Sequence, residues 1–385
     1  MAAKFRTVPF CHIPLLYDCN SSNCIYPEQI RKEEPSLKLK SFVWLTLICC
    51  CTALLSGCWN HKDINKRYLP VVMAVTEGKK EKYRIFLRIP DPMGKKLKVI
   101  EAEAQSIAKS FDIMRTKAEV DIDLMHLKLI LFSENIAKKG ISDIVEYAIR
   151  SRDIPPKILV ATVMGELEPL MHDQRTSNVG ATEYDFFSKQ AGWTPSISIV
   201  PLWKVFRSIN SDMEDVSIPI ISKGTDTLFS FHGSAMMLKG RMVEKISSDE
   251  MLIYNLFEGR FGGYILEVMS ETSVIVVKSS VSNHAEWSPV PKLTSHMKMD
   301  VVIREKSEGL SDEDIKKGLV KLISDQFNQL IKKTQTNKVD IFGLGLWFSS
   351  QMSEKQRSHW REDWFPKMEH QFTVDVNIRD RGNLK

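Results

Sequence analysis

The sequence predicts an α+β protein of several subdomains, with a mixed sheet in the N-terminal half and a helix-covered antiparallel sheet in the C-terminal half. Three observations lead to this prediction. Strand and helix patterns alternate between residues 68 and 222. Segments 297–306 and 372–380 place an apolar residue at every second position, which indicates a sheet with one wet face and favours antiparallel pairing. Between them, residues 311–333 carry apolar side chains at helical spacing.

The N-terminal half opens with a predicted hairpin over 68–90, in which apolar Ile85, Leu87 and Ile89 alternate with their neighbours. Apolar residues spaced by three and four then predict an amphipathic helix over about 99–117. Short strands and helices alternate after it. We expect strands at 126–132 (where a helical turn is the alternative) and 157–165, and helices at 133–140, 142–152, 181–190 and 202–210.

A linker containing Ser, Gly and Asp over 222–228 follows the strand "VSIPIIS" and predicts a domain boundary. We place an N-terminal α/β domain at 58–222 and a C-terminal α+β domain at 229–382. The composition of the chain, 43% apolar and 26% charged, is that of a globular protein with sizeable cores.

The C-terminal domain is expected to start with two strands joined by a turn at Lys239–Gly240. Ser247 and Glu250 form a capping-box pattern that predicts a helix over 248–258. Further strands then flank the helix of 311–333.

Residues 38–57 have the three-part layout of a secretory signal. A lysine pair at 38 and 40 precedes a mostly apolar run, Phe42 to Leu55, and a small Ser-Gly pair leads to Cys58. A membrane-spanning helix needs roughly 20 apolar residues, so this run is short for one. We predict a lipoprotein signal peptide over 38–57; an uncleaved anchor helix is the alternative.

The last residues of this signal, Leu55-Ser56-Gly57-Cys58, resemble the lipobox of bacterial lipoproteins. In that family the cysteine thiol receives a diacylglycerol, and the signal is then cut just before the cysteine. The resemblance implies that Cys58 carries the lipid and becomes the first residue of the mature protein. Two acyl chains suffice for stable anchoring, whereas one binds reversibly.

Residues 1–37 do not fit the layout, because the positive region of a signal normally stands at the very start. We interpret them as a mis-annotated leader and expect translation to start near Leu37 at a non-AUG codon, since no Met occurs between Met1 and Met73. All seven cysteines lie in the first 58 residues, so the downstream domains use neither disulfides nor thiolate metal ligands.

No motif in the chain predicts catalysis. The nine histidines lack metal-site spacing, and no G-x-S-x-G nucleophile motif occurs. "GLGLW" (343–347) lacks the third glycine of a dinucleotide loop and indicates a tight bend or close packing near Trp347. His126 stands in an apolar segment and is expected in the core. We predict no catalytic, cofactor-binding or metal-binding residues, and a protein that is not an enzyme.

The acidic clusters and the aromatic residues can be explained by structural roles, without a catalytic or ligand-binding one. Asp312 to Asp314 open a helix, where the helix dipole favours them, and Asp121 and Asp123 stand in a predicted loop. The tryptophans at 193, 203, 347, 360 and 364 are expected to fill core and loop interfaces; exposed rings would instead mark a partner surface. A formal charge of only +5, with no long basic block, argues against a nucleic-acid binder.

Four stretches together resemble the Ger(x)C family, the lipoprotein C subunits of bacterial spore nutrient germinant receptors. They cover 58 to about 382 in collinear order and read "LLSGCWNHKDI", "HLKLILFSENIAKKGISDIVEYAIRSRDI", "FHGSAMMLKGRMVEKIS" and "NKVDIFGLGLWF" through "HWREDWFPKMEHQFTVDVNIRDRG". Asn60 and Asp63 replace the usual Asp and Glu after the lipobox, and Met237 and Leu238 replace an aromatic region. The leader, 1–37, has no family counterpart.

The resemblance implies a role that the residues alone do not give. Family members are anchored on the outer face of the spore inner membrane, with the lipid at the residue matching Cys58. They work with an integral-membrane A subunit and a permease-like B subunit to trigger germination by nutrients such as amino acids or sugars. Whether this subunit contacts the nutrient is open, and the absence of an obvious polar constellation favours a role in holding A and B together.

Two other classes compete with this interpretation. An extracytoplasmic solute-binding lipoprotein serving a transporter would have two lobes with parallel βαβ crossovers. A cell-wall hydrolase would need paired carboxylates in a cleft.

Overall fold

The protein is described by a computed structural model, in which residues 37–55, 66–90, 97–173, 187, 194, 196–259, 263–269 and 272–379 are placed. The chain divides into two compact units, Met1–Lys62 and Asp63–Lys385. The first contains helix α1 (Leu37–Leu55), which covers most of the predicted signal. Among the placed residues, no helix combines the length and apolar character that a membrane crossing requires.

The second unit begins with a short parallel pairing of β1 (Arg67–Tyr68) with β5 (Asp121–Ile122). Its main sheet has eight strands in the order β10-β9-β8-β7-β6-β2-β3-β4. Strands β2, β6, β7 and β8 run parallel, and the others pair antiparallel. The strands are β2 (Val72–Glu77), β3 (Tyr83–Pro90), β4 (Leu97–Ala104), β6 (Leu129–Ser133), β7 (Leu159–Val163), β8 (Val216–Lys223), β9 (Phe229–Leu238) and β10 (Arg241–Ile246).

Helices cover both faces of this sheet, which is why its central strands are almost continuously apolar. One face packs on a cluster that includes Phe111, Ile144 and Val205, and the other on a cluster around Leu170 and Phe187. The helices of this half are α2 (Ile107–Lys117), α3 (Glu134–Lys139), α4 (Ser142–Arg150), α5 (Leu167–Met171) and α6 (Leu202–Asn210).

The predicted helix over 99–117 is wrong in its first part. Residues up to Ala104 form strand β4 on the free edge of β3, and the helix starts at Ile107, where the Ser106 side chain accepts a hydrogen bond from Lys109 N. Ile100, Ala102 and Ala104 are buried in alternation, so this segment also satisfies the period of a strand. The predicted helix at 181–190 lies, apart from Phe187, outside the placed residues.

The strands on both sides of the predicted linker belong to one sheet. Strand β8 ends at Lys223 and pairs antiparallel with β9, so the main sheet continues to Ile246. The turn between them closes with a hydrogen bond from Gly224 N to Leu228 O (3.2 Å). The division into domains 58–222 and 229–382 stays a prediction.

The C-terminal half has a four-stranded sheet in the order β11-β12-β13-β14 with helices on one face, which confirms the predicted fold class. Its strands are β11 (Tyr264–Met269), β12 (Thr272–Trp287), β13 (Pro291–Glu305) and β14 (Glu369–Ile378). Its helices are α7 (Ser248–Phe257), α8 (Asp312–Thr336), α9 (Gly345–Phe348) and α10 (Glu354–Ser358), followed by a π-helical turn, Trp360–Trp364, and a 3₁₀ turn, Phe365–Lys367. The capping box at Ser247 opens α7 as expected, and α8 begins after Ser311 as expected, where the structure shows a second capping box.

The last strand differs from the antiparallel expectation. Strand β14 pairs parallel to β13, with Lys292 opposite Glu369, whereas β11, β12 and β13 pair antiparallel. The reason is α8, which carries the chain back across the sheet so that β14 starts beside the start of β13. A parallel neighbour requires such a crossover.

Candidate functional site

The one residue to which the sequence assigned a modification, Cys58, lies outside the placed residues. The chain is next placed at Lys66, which precedes β1. The structure instead draws attention to three other places: a buried polar junction between the two halves, an ionic cluster beside β3, and a cleft against α8.

The junction is built on an ion pair between Asp215, just before β8, and Arg361, in the π-helical turn. The guanidinium donates from Nε to Asp215 Oδ2 (2.8 Å) and from Nη2 to Oδ1 (2.9 Å). Nη2 also donates to the carbonyls of Ser211 and Glu214, both at 2.8 Å. The Arg361 side chain is 4% exposed and that of Asp215 0%, so the pair is shielded from water. Burial raises the pKa of Asp215, and the guanidinium opposes that rise.

A second carboxylate, Asp340, continues the network. Its Oδ1 accepts from Leu344 N (2.9 Å), and its Oδ2 accepts from Gly345 N (2.8 Å) and from the Trp360 indole Nε1 (3.0 Å). Its backbone exchanges two hydrogen bonds with Asp215. Complete burial raises the pKa of Asp340 to about 7, since removal from water disfavours the charged form.

The glycines of "GLGLW" make this packing possible. A Cβ on Gly345 would lie 2.7 Å from Trp360 Nε1 and 2.9 Å from Met213 O, so only glycine fits there without a shift. Gly343 has φ +62°, the left-handed conformation that glycine adopts without strain. The expectation of a bend and close packing is therefore confirmed, although the packed indole is Trp360 and not Trp347.

Next to the junction, each half contributes an exposed apolar side chain to the same surface. The guanidinium of Arg207 lies 5.3 Å from the ring centre of Trp203 and pairs with Glu214. A Cβ on Gly343 would touch both Glu214 and Leu346, so these two side chains are neighbours. Trp203 is 42% exposed and Leu346 46%, which fits the partner-surface alternative for this tryptophan. The other tryptophans that were expected to fill the core or loop interfaces differ in exposure: Trp360 is buried, Trp364 is partly buried and Trp347 is exposed. Trp193 lies outside the placed residues.

The ionic cluster brings together Glu101, Glu168 and His172, whose ligand-type atoms lie within 4.8 Å of one another. Arg84 occupies its centre: Nη2 donates to both oxygens of Glu101 (2.9 and 2.8 Å), and Nη1 donates to Glu168 (2.7 Å). A metal ion bound by these carboxylates would face the guanidinium charge. The cluster is therefore explained as an arginine–carboxylate network.

The cleft, of about 570 Å³, lies between the C-terminal part of α8 and β14. His370 contributes to its wall, and its Nε2 hydrogen-bonds Ser295 Oγ (3.0 Å). Because Ser295 Oγ donates to Asn283 Oδ1 (2.6 Å), the imidazole Nε2 is the donor in this contact. Burial lowers the pKa of His370 to about 4, so the ring is neutral at pH 7. Lys332 is the other titratable side chain among the placed residues that line the cleft, and the hydrogen bond of His370 goes to Ser295 and not to it.

Sequence reasoning located some of these residues but did not connect them. His126, expected in the core, is exposed in a short 3₁₀ helix. Asp215 and Arg361 are 146 positions apart and carry no local signal of their pairing. The available hint was the "GLGLW" stretch, which marked a site of close packing without naming its partner.

Comparison with known proteins agrees with this architecture. Residues 60–223 match the family model described as spore germination protein N-terminal domain, and residues 232–382 match spore germination B3/GerAC like, C-terminal. The chain belongs to the Ger(x)C family of spore germination proteins. The two Ger(x)C matches meet between β8 and β9, and the junction of Asp215 with Arg361 therefore links them.

Individual relatives are distant. The chain is 21% identical to spore germination protein GerQC of Bacillus cereus over 301 residues, covering 74% of this chain and 83% of that protein. It is 22% identical to the putative spore germination protein YfkR of Bacillus subtilis (strain 168) over 340 residues, covering 78% and 85%. The crystal structure of the GerBC protein superposes with a TM-score of 0.54 at 18% identity, covering 80% of this chain and 97% of that one. That likeness shows a shared fold.

Proposed function

We propose that this protein is a lipid-anchored, non-catalytic subunit of a spore nutrient germinant receptor, needed for nutrient-triggered germination. The observation that carries the proposal is the order of signals along the chain: the lipobox ending at Cys58 is followed at once by both Ger(x)C family matches. The proposed partners are the integral-membrane A subunit and the permease-like B subunit. The proposed location is the outer face of the spore inner membrane.

The geometry favours a role in assembly. The two family-matched regions are joined by a buried ion pair, which holds them in a fixed arrangement. The exposed Leu346 and Trp347, in α9, flank this junction, and tryptophan is a common anchor of protein interfaces. A rigid body that presents such a surface suits a subunit that positions its partners.

The test is genetic and uses the spores of the organism that carries the gene. Spores that lack the gene are complemented with the wild-type chain, with Cys58→Ala, or with Cys50→Ala, a control cysteine inside the signal. Germination on single nutrients is measured together with incorporation of labelled fatty acid. The proposal expects that the wild type and Cys50→Ala restore germination and lipid labelling, and that Cys58→Ala restores neither.

Two results would contradict the proposal. Deletion spores that germinate normally on every nutrient would remove the receptor role, provided that no other receptor of the strain answers the same nutrients. Labelling that persists in Cys58→Ala would remove this cysteine as the lipid site.

A further inference from the structure

One edge of the eight-stranded sheet collects exposed apolar and basic side chains. Strands β2, β6 and β7 are parallel and in register at Val72, Leu129 and Leu159, so their N-terminal ends share this edge. We call it the basal edge. It is defined by exposed residues that stand just before these strands or at the start of α6, namely Lys66, Met125, Lys128, Lys157 and Trp203.

The chain enters the second unit at this edge. Tyr68 pairs with Ile122 in β5, and the backbone of Lys128 donates from N to Val71 O (2.9 Å), so the segment from β1 to the start of β2 lies along the segment that leads into β6. The Arg67–Asp123 ion pair (2.6 Å) fastens the entry point. Eight residue steps separate Cys58 from Lys66, and such a chain spans at most about 28 Å. If Cys58 carries the lipid, as the proposed function holds, the basal edge stays close to the membrane.

Large apolar side chains at this edge face solvent. Met125 is 62% exposed in the short 3₁₀ helix that precedes β6. Trp203 is 42% exposed, and its backbone N donates to Pro156 O (3.0 Å), which places the first turn of α6 beside Lys157. Tryptophan is enriched where membranes meet water, because its ring is apolar and its N–H is polar. Both side chains are therefore suited to the headgroup region of a bilayer.

The basic side chains at this edge lack partners. Lys128 and Lys157 are exposed, as is Arg152 in the segment that leads into β7, and within the placed residues these three form no ion pair. Asp121, in β5, and Asp153 are exposed acids of the neighbouring segments. At the opposite edge of the same sheet three lysines are paired with carboxylates, Lys82 with Asp143, Lys138 with Glu134 and Lys139 with Glu77. Lys79 and Lys80, in the turn after β2, are exposed there and form no ion pair with the placed residues. Basic side chains without an ion pair thus stand at both edges, and it is the exposed Met125 and Trp203 beside them that distinguish the edge of the entry point.

We infer that the basal edge docks on anionic phospholipid headgroups of the membrane that holds the anchor. The inference rests on the proposed function, which supplies the tether. Unpaired basic side chains are attracted to an anionic leaflet, and the exposed methionine and tryptophan insert between the headgroups. Docking fixes the orientation of the whole second unit, with the opposite edge turned away from the membrane.

The test measures which edge touches lipid. In the lipidated mature chain Cys58 is the one cysteine, and its thiol is modified, so an introduced cysteine can be labelled alone. Lys157→Cys carries an environment-sensitive fluorophore at the basal edge. Lys80→Cys is the matched control, an exposed lysine in the turn after β2 at the opposite edge. Each lipidated mature protein is placed in vesicles of equal parts phosphatidylglycerol and phosphatidylcholine that contain a headgroup-linked quencher.

We expect quenching at position 157 to exceed that at position 80 by about threefold or more, because the six residues of β2 separate the two edges by roughly 20 Å and only a fluorophore close to the headgroups meets the quencher. The difference should shrink in vesicles of phosphatidylcholine alone, and Lys128→Glu should shrink it in the anionic vesicles. Equal quenching at both positions, greater quenching at 80, or no quenching at either would overturn the inference.

Two controls separate the possible failures. The mass of the Cys58 peptide reports whether the lipid is present, and its absence would contradict the proposed function independently of the quenching pattern. Quenching at 157 that requires the co-reconstituted A subunit would make the basal edge a protein interface and would also overturn docking on lipid.

Discussion

The strongest structural prediction concerns Arg361. Replacing it with leucine leaves Asp215 as an uncompensated buried carboxylate and removes the donor to two buried carbonyls, those of Ser211 and Glu214. Breaking a buried ion pair by removing one partner costs about 3–5 kcal/mol of folding free energy. We expect Arg361→Leu to lose this much, which is a large share of the roughly 5–15 kcal/mol that stabilises a typical protein.

The measurement is urea unfolding of the purified mature protein, followed by tryptophan fluorescence and circular dichroism. Arg150→Leu is the control, since Arg150 pairs with Glu146 on the surface of α4 (2.6 Å) with its side chain 78% exposed. Such a surface pair is worth about 0.5 kcal/mol or less. The control should unfold almost as the wild type does.

A double variant tests the cause. Adding Asp215→Asn to Arg361→Leu removes the unpaired charge, so we expect the double variant to regain about 2 kcal/mol relative to the single one. If Arg361→Leu costs no more than Arg150→Leu, the reasoning about the junction is wrong. If the double variant is the less stable of the two, the loss does not come from a buried unpaired charge.

Three further outcomes are expected. Because the pKa of Asp340 is about 7 in the folded protein, above its unfolded value, its stabilising contribution is complete below about pH 4 and is lost as pH rises through 7; Asp340→Asn should flatten that decline in unfolding free energy. The pKa of His370, about 4, is below its unfolded value, so its contribution to the unfolding free energy is present above about pH 6.5 and is lost as pH falls through 4. His370→Gln should therefore reduce the loss of unfolding free energy at acid pH, whereas substitution of the exposed His284 by Gln should not. Gly345→Ala should cost about 1–3 kcal/mol in urea unfolding, because its Cβ meets a buried indole and a backbone carbonyl. In Gly318→Ala the new Cβ meets the flexible end of Met269 and lies 3.1 Å from Val268 Cγ1, with no backbone atom in the way, so this variant should lose less than Gly345→Ala. Equal losses in both glycine variants would contradict the packing argument.

The sequence was sufficient for elements whose signal is local. Helix α8 follows from its apolar spacing, and the start of α7 follows from the capping-box pattern of Ser247 and Glu250. The hairpin turn at Lys239–Gly240 follows from glycine, which has φ +80° there. The same local rules failed over 99–104, where the apolar residues satisfy both the helical and the strand period. Pairing with the free edge of β3 stabilises the strand there. A local sequence pattern gives no information about that neighbouring strand.

The sequence was insufficient for features that depend on distant partners. The parallel pairing of β14 is set by the crossover of α8, although the alternation in β14 is equally compatible with antiparallel pairing. The ion pair of Asp215 with Arg361 joins segments whose own patterns are ordinary. The exposure of His126 depends on the short 3₁₀ helix at Leu124–His126, which interrupts the apolar run before β6.

The crossover that makes β14 parallel also sets an order of events in folding. Strand β14 needs β13 as its template, yet α8 and the junction segment must be produced between them, so the C-terminal sheet remains unfinished until about residue 378 has emerged. Contacts between such distant segments form late, because the intervening loop must close first. A chain that stops before Glu369 would keep every element of the N-terminal half but would leave one whole edge of β13 open. Such an open edge is a template for aggregation, so loss of residues 369–385 should be more harmful than their number suggests.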